Sequence, residues 1–155
     1  SKPGLDVAPA SASAGFIYGG KFESGGGGLV ATARDYLRFS QMMLNGGELD
    51  GVRILSPKTV QLMTTNHIGD LPMGFGRTGA GFGLDFGVVL DPGAVGEVSS
   101  AGEYNWGGAA GTRFWIDPRE DMIGLFMVQS IPHRTRLAGD FKVLAYQAMT
   151  ESYGD

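Results

Sequence analysis

The alternation of apolar and polar positions divides the chain into segments, and the clearest lies between Glu103 and Gln129. Two apolar runs there, Tyr104 to Ile116 and Met122 to Val128, flank Asp117-Pro118-Arg119-Glu120-Asp121. Proline at the second place with carboxylates around it suits a type I turn and opposes a ladder position. Two antiparallel strands are therefore predicted. Residues 81–91 place Phe82, Leu84, Phe86, Val88 and Leu90 on one side and Gly81, Gly83, Asp85, Gly87, Val89 and Asp91 on the other, which is the period of a half-buried strand. Together these strands make a three-stranded antiparallel meander.

Helical signals lie on either side of it. Thr32-Ala33-Arg34-Asp35 has the form of a capping box, with the carboxylate placed well against the helix dipole. A helix to about Asn45 follows, its inner face being Ala33, Tyr36, Leu37, Ser40, Met43 and Leu44, with Gly46 as its stop. Asp50-Gly51 between short apolar pairs predicts a tight hairpin. Ser56-Pro57 pairs a hydroxyl cap with proline at the first helical position, and Val60, Leu62 and Met63 would anchor that short helix. Residues 66–80 and 92–102 read as loops.

At the C-terminal end, Leu137, Phe141, Leu144, Ala145, Ala148 and Met149 recur at helical spacing. They predict an amphipathic helix over residues 136–152 that covers one face of the sheet. The fold class is thus α+β. Residues 1–28 show little periodicity and end in four glycines, so an extended segment is expected there. Residues 122–128 are apolar on both faces, as in a strand with neighbours on both sides. In this meander the strand comes last, so a partner is expected from residues 1–28 or from another chain.

Composition narrows the classes of function. A length of 155 residues at 43% apolar supports one domain with a core. A net charge of −4 offers no basic stripe for nucleic acid. No apolar run is long enough to span a membrane, no basic amphipathic segment suggests a membrane surface, and no stretch reads as a signal peptide. With no cysteine, a disulfide frame, a thiol nucleophile and a thiolate metal site are excluded, while the compartment stays open. The 27 glycines cluster, as tight loops and close backbone approaches require.

Gly74-Phe75-Gly76-Arg77-Thr78-Gly79 matches a dinucleotide-binding pattern, but the predicted strand after it supplies no helix N-terminus for a pyrophosphate. It is expected to be a connection, and no cofactor is expected. His67 and His133 stand apart with no ligand neighbours, so no metal is expected. Arg113, Asp117, Arg119, Glu120 and Asp121 read as a solvated strand and turn. Trp106-Gly107-Gly108-Ala109 has two readings: a strand that bends or bulges under an aromatic, or a backbone left bare for a ligand. In the second, a substrate lies along the strand with a backbone N–H near Ala109 directed at a developing oxyanion.

Several separate segments, in order, carry a family resemblance. They are Gly25 to Phe39, Met42 to Gly51, Leu55-Ser56-Pro57, and Trp106-Gly107-Gly108-Ala109-Ala110-Gly111-Thr112. Together they resemble the C-terminal half of serine hydrolases of the class C β-lactamase type, most of all its carboxylesterases. The resemblance implies a β-lactamase/transpeptidase-like sheet whose N-terminal strands are absent from this chain, with residues 29–155 as the C-terminal part of one catalytic domain. It implies acyl transfer by a Ser-x-x-Lys nucleophile motif and a Tyr-x-Asn or similar base motif. No serine here is followed three places later by lysine, and Tyr104-Asn105 lacks the spacing.

The family's Lys-Thr-Gly strand corresponds to Trp106-Gly107-Gly108, which would bind substrate, and Ala109 would supply one oxyanion-hole N–H. Trp106 and Gly107 offer no cation or hydroxyl for a β-lactam carboxylate, so neutral esters are favoured over lactams. The implied partners are an N-terminal half of the same enzyme and a small ester or amide substrate. A chain that lacks the nucleophile is expected to be inactive alone.

Overall fold

The computed structural model describes residues 29–74, 77–131 and 135–154. The segment 1–28, residues 75 and 76 of the glycine-patterned connection, and His133 lie outside them. Helix α1 (Ala33–Leu44) opens on the predicted box: the Asp35 N–H donates to Thr32 Oγ1, and the Thr32 N–H donates to the Asp35 carboxylate. Strands β1 (Glu48–Leu49) and β2 (Val52–Arg53) form the hairpin, with both loop residues left-handed, Asp50 at φ 51° and Gly51 at φ 76°. Helix α2 (Pro57–Met63) starts at the Ser56 cap, which accepts the Thr59 N–H.

The main sheet has five strands where three are expected: β3 (Ala80–Phe82), β4 (Gly87–Val89), β5 (Tyr104–Gly107), β6 (Arg113–Asp117) and β7 (Met122–Phe126). All four pairings are antiparallel between sequence neighbours. The stretch 81–91 is a hairpin, closed by the Gly83 N–H donating to the Phe86 carbonyl and turning at Asp85, φ 68°. Its alternation continues across the turn, which hides the break, and Leu84 and Leu90 point to solvent instead of inward. Gly83 is required there because a side chain would overlap the Met63 carbonyl. The run 104–116 breaks in the same way, at residues 108–112, into β5 and β6. The turn after Asp117 is as expected, and a short helix α3 (Pro92–Val95) interrupts the predicted loop.

Each face of the sheet carries one layer. On one face α1 and α2 bring Met42, Met43 and Val60 against Phe86, Val88, Tyr104, Phe114 and Ile116. Leu44 and Met63 pack at the edge of this core, while Ala33 and Leu37 are exposed, so the inner face of α1 is narrower than its sequence suggests. On the other face lies helix α4 (Leu137–Gln147), rotated from the expected face: Phe141 packs on Trp115 and Phe126 as expected, but its neighbours do not follow. Leu137 and Leu144 are more than half exposed, whereas Ala138 and Lys142 are buried. The reason is polar: Lys142 reaches buried carboxylates at the sheet, and the helix rotates to deliver it.

Among the described residues β7 ends the sheet, with β6 as its one neighbour. Trp115 on β6 crosses to β7, where a side chain at Gly124 would overlap the indole. Gly124→Ala should lower unfolding free energy by about 1–3 kcal/mol through overpacking. Gly139→Ala, in open space on α4, should raise it by about 0.5–1 kcal/mol by favouring the helix. Denaturant midpoints measure both, and equal effects would contradict the packing described.

Candidate functional site

Strand β5 alternates between the two layers. Tyr104 goes into the α1-side core, Asn105 faces α4, and Trp106 stands at the strand end, 44% exposed and edge-on to Phe82 at 5.1 Å between ring centroids. Gly107, Gly108 and Ala109 are exposed. The turn beyond them is well fixed: the Gly108 N–H donates to the Thr112 carbonyl at 2.8 Å and the Gly111 N–H to the Gly108 carbonyl at 2.9 Å. Gly111, at φ 88°, supplies the left-handed step that closes it. The segment after β7 clamps the turn from outside, as the Ser130 N–H donates to the Ala110 carbonyl and Thr112 Oγ1 to the Val128 carbonyl. None of these bonds uses the Ala109 N–H.

A groove of about 750 Å³ runs beside this strand end, its walls including Trp106, Gly107, Gly108 and Arg113 and the first turn of α4. The structure therefore brings Trp106, Gly107 and Gly108 onto one open wall and sets Ala109 at the exposed tip. Ala109 belongs to a turn, not to a strand as expected; two backbone bonds across five residues produced a reversal that the apolar pattern could not reveal.

Two of the residues read as solvated are not. Arg113 is half-buried and donates to the Glu97 carboxylate, and Asp117 is 0% exposed. Arg119 and Asp121 are exposed, and Glu120 accepts from Ser152 Oγ and the Tyr153 N–H. Glu97, Glu103, Lys142 and Tyr146, which no motif singles out, meet beneath α4. Periodicity gave no signal for them, because it sets Leu137, Phe141 and Leu144 inward and leaves Lys142 off that face. Burial raises the Glu97 carboxyl, but the hydrogen bond and charge of Arg113, with Lys142 and Arg77 adding to it, hold it below the ordinary 4.5.

Known proteins resemble this chain in sequence and in fold. Protein Rv1367c of Mycobacterium tuberculosis (strain ATCC 25618 / H37Rv) is 42% identical over 123 residues, 72% of this chain and 30% of that protein. The Escherichia coli O157:H7 protein named "Putative D-alanyl-D-alanine carboxypeptidase" is 31% identical over 110 residues, 71% of this chain and 24% of that protein. The solved structure of EstCE1, a hydrolase with promiscuous acyltransferase activity, superposes with a TM-score of 0.66 at 25% identity, covering 79% of this chain and 32% of that one. The Beta-lactamase family model matches residues 2–147, and the chain belongs to that family. It spans about a third or less of the length of these relatives.

The Glu97–Arg113 pair makes a pH prediction. A carboxyl held below 4.5 in the fold contributes stability that is present above 4.5 and lost as pH falls through the folded value. Glu97→Gln should therefore flatten the acid limb of the denaturant midpoint plotted against pH. An acid limb as steep as that of the wild type would remove Glu97 from the account.

Proposed function

We propose that this chain is the substrate-binding and oxyanion part of a serine hydrolase that cleaves small carboxylic esters through an acyl-enzyme. Trp106, Gly107 and Gly108 form the wall along which the substrate lies, and Ala109 donates its N–H to the oxyanion. The nucleophilic serine, its activating lysine and the second base come from an N-terminal part of the same enzyme. The observation that carries this reading is the geometry of Ala109: exposed, at the tip of a turn clamped from both sides, with its N–H outside the bonds that close the turn. Donors of that kind are already oriented when negative charge develops, so they stabilise the transition state without reorganising.

Two further features support a larger enzyme. Strand β7 is apolar on both faces yet has one strand neighbour among the described residues, and such an edge is a template for another strand. No Ser-x-x-Lys occurs in the chain. The preference for esters follows from Trp106 and Gly107, which give a substrate carboxylate neither a cation nor a hydroxyl.

Residues 1–155 alone should not hydrolyse p-nitrophenyl butyrate, and activity should appear when the N-terminal part is supplied. In the reconstituted enzyme Ala109→Pro, which deletes the amide proton, should lower kcat by about 10²–10³-fold. Turnover by the isolated chain, or an unchanged kcat in Ala109→Pro, would contradict the assignment. Faster cleavage of a chromogenic cephalosporin or a D-alanyl peptide than of the ester would turn the reading to a lactamase or a D-amino-acid peptidase. Absence of labelling by a fluorophosphonate would leave a binding module without catalysis.

A further inference from the structure

Beneath α4, on the sheet face away from the apolar core, ionisable groups are buried together. Glu103 and Asp117 are 0% exposed and Lys142 is 2% exposed. Glu103 Oε1 accepts from Lys142 Nζ at 2.7 Å and from Asn105 Nδ2 at 3.0 Å. Asp117 Oδ1 accepts from the Arg119 N–H at 3.1 Å. The remaining oxygen of each carboxyl faces one atom, the Tyr146 hydroxyl, 3.0 Å from Glu103 Oε2 and 2.7 Å from Asp117 Oδ2.

A phenol has one proton to give. It can serve one of these two carboxyls. The other must either carry a proton of its own, donated to the phenol oxygen, or oppose lone pair to lone pair in a site shielded from water. We propose that Glu103 is held as the neutral acid, donating from Oε2 to Tyr146 Oη while Tyr146 donates to Asp117, and that this chain of protons locks α4 to strands β5 and β6.

The neighbouring charges decide which carboxyl keeps the proton. Glu103 is faced by Lys142 and Tyr146 from α4, by Asp117 from β6 and by Asn105 from β5. Behind Lys142 stand Glu97, 3.7 Å away, and Arg113, which is paired with Glu97. Glu97, partly exposed and held also by Arg113 and Arg77, shares the Lys142 ammonium with Glu103, and the buried Asp117 carboxylate adds like charge beside Glu103. Asp117 has the shorter contact to the phenol and a backbone N–H on its other oxygen, both of which favour its ionised form. Burial first, and then the Asp117 charge, push the Glu103 carboxyl above its ordinary 4.5 despite Lys142 and the hydrogen bonds it receives. Burial likewise pushes the Tyr146 phenol up, so it keeps its proton.

A folded value above the unfolded one means that the stabilisation is complete below 4.5 and is lost as pH rises toward the folded value. Glutamine reproduces the neutral acid at this position: Nε2–H can donate to Tyr146 while Oε1 still accepts from Lys142 and Asn105. In the chain, the opening constant of β5 and β6 amides, corrected for intrinsic exchange, should rise by up to about tenfold per pH unit above 4.5 and then level off. In E103Q it should stay flat over that window.

Difference infrared spectra of wild type minus E103Q at neutral pH should contain the carbonyl band of a protonated carboxylic acid. An E103Q chain that fails to fold, or that keeps the pH slope, overturns the proposal. So does an acid carbonyl that is absent, or one that disappears in D117N and survives in E103Q. None of these readouts requires hydrolysis, so they are independent of the function proposed above.

Discussion

Trp115 is fully buried on β6, and its ring fills the place where Gly124 of β7 would carry a side chain. The layer on that face of the sheet is arranged around this indole. Phe141 of α4 meets it edge-on at 5.7 Å, and the Lys142 ammonium stands over it at 5.7 Å. The missing side chain of one strand thus gives the neighbouring aromatic a flat seat, and the aromatic fixes where the helix can lie. Contacts between a cation and an aromatic face gain strength when water is excluded, as it is here.

The two faces of the sheet are held by different physics. Against α1 and α2 the contact is apolar, with Tyr36, Phe86 and Phe114 meeting at tilted or edge angles. Such packing is non-directional and tolerant of small shifts. Against α4 the aromatic contacts of Phe141 with Trp115 and Phe126 are joined by buried charges and hydrogen bonds, which tolerate few arrangements. The helix on that side is therefore set in rotation by Lys142 and Tyr146 more than by its leucines. Glu103, which Lys142 and Tyr146 of the helix bind, immediately precedes the strand that leads into Trp106 and the exposed turn.

Much of the local structure was legible because it depends on neighbours in sequence. The Thr32–Asp35 box, the Asp50-Gly51 reversal, the Ser56-Pro57 start and the turn after Asp117 are each decided within five residues or fewer. The breaks at 83–86 and 108–112 were not legible, because the apolar period runs on through both turns while their cause is a backbone contact with another element or a hydrogen bond across the turn. The orientation of α4 was hidden for a related reason: periodicity ranks Leu137 and Leu144 as inward, and only the positions of Glu103 and Asp117 reveal that a lysine takes that side. Trp106-Gly107-Gly108 could be singled out, since glycines beside an aromatic in a strand demand an explanation, but the turn that exposes Ala109 is set by backbone bonds from Gly108 and Gly111 that no residue pattern marks.

The order of strands in the sheet has a kinetic side. Every pairing from β3 to β7 joins neighbours along the chain, so each strand pairing closes a loop of modest length and small entropic cost. The distant closure is the return of α1 onto β6 and β7, with β3, β4 and β5 lying between them along the chain. The seating of Met42 and Met43 against Phe114 and Ile116 thus closes the longest loop in this core and carries its largest closure entropy.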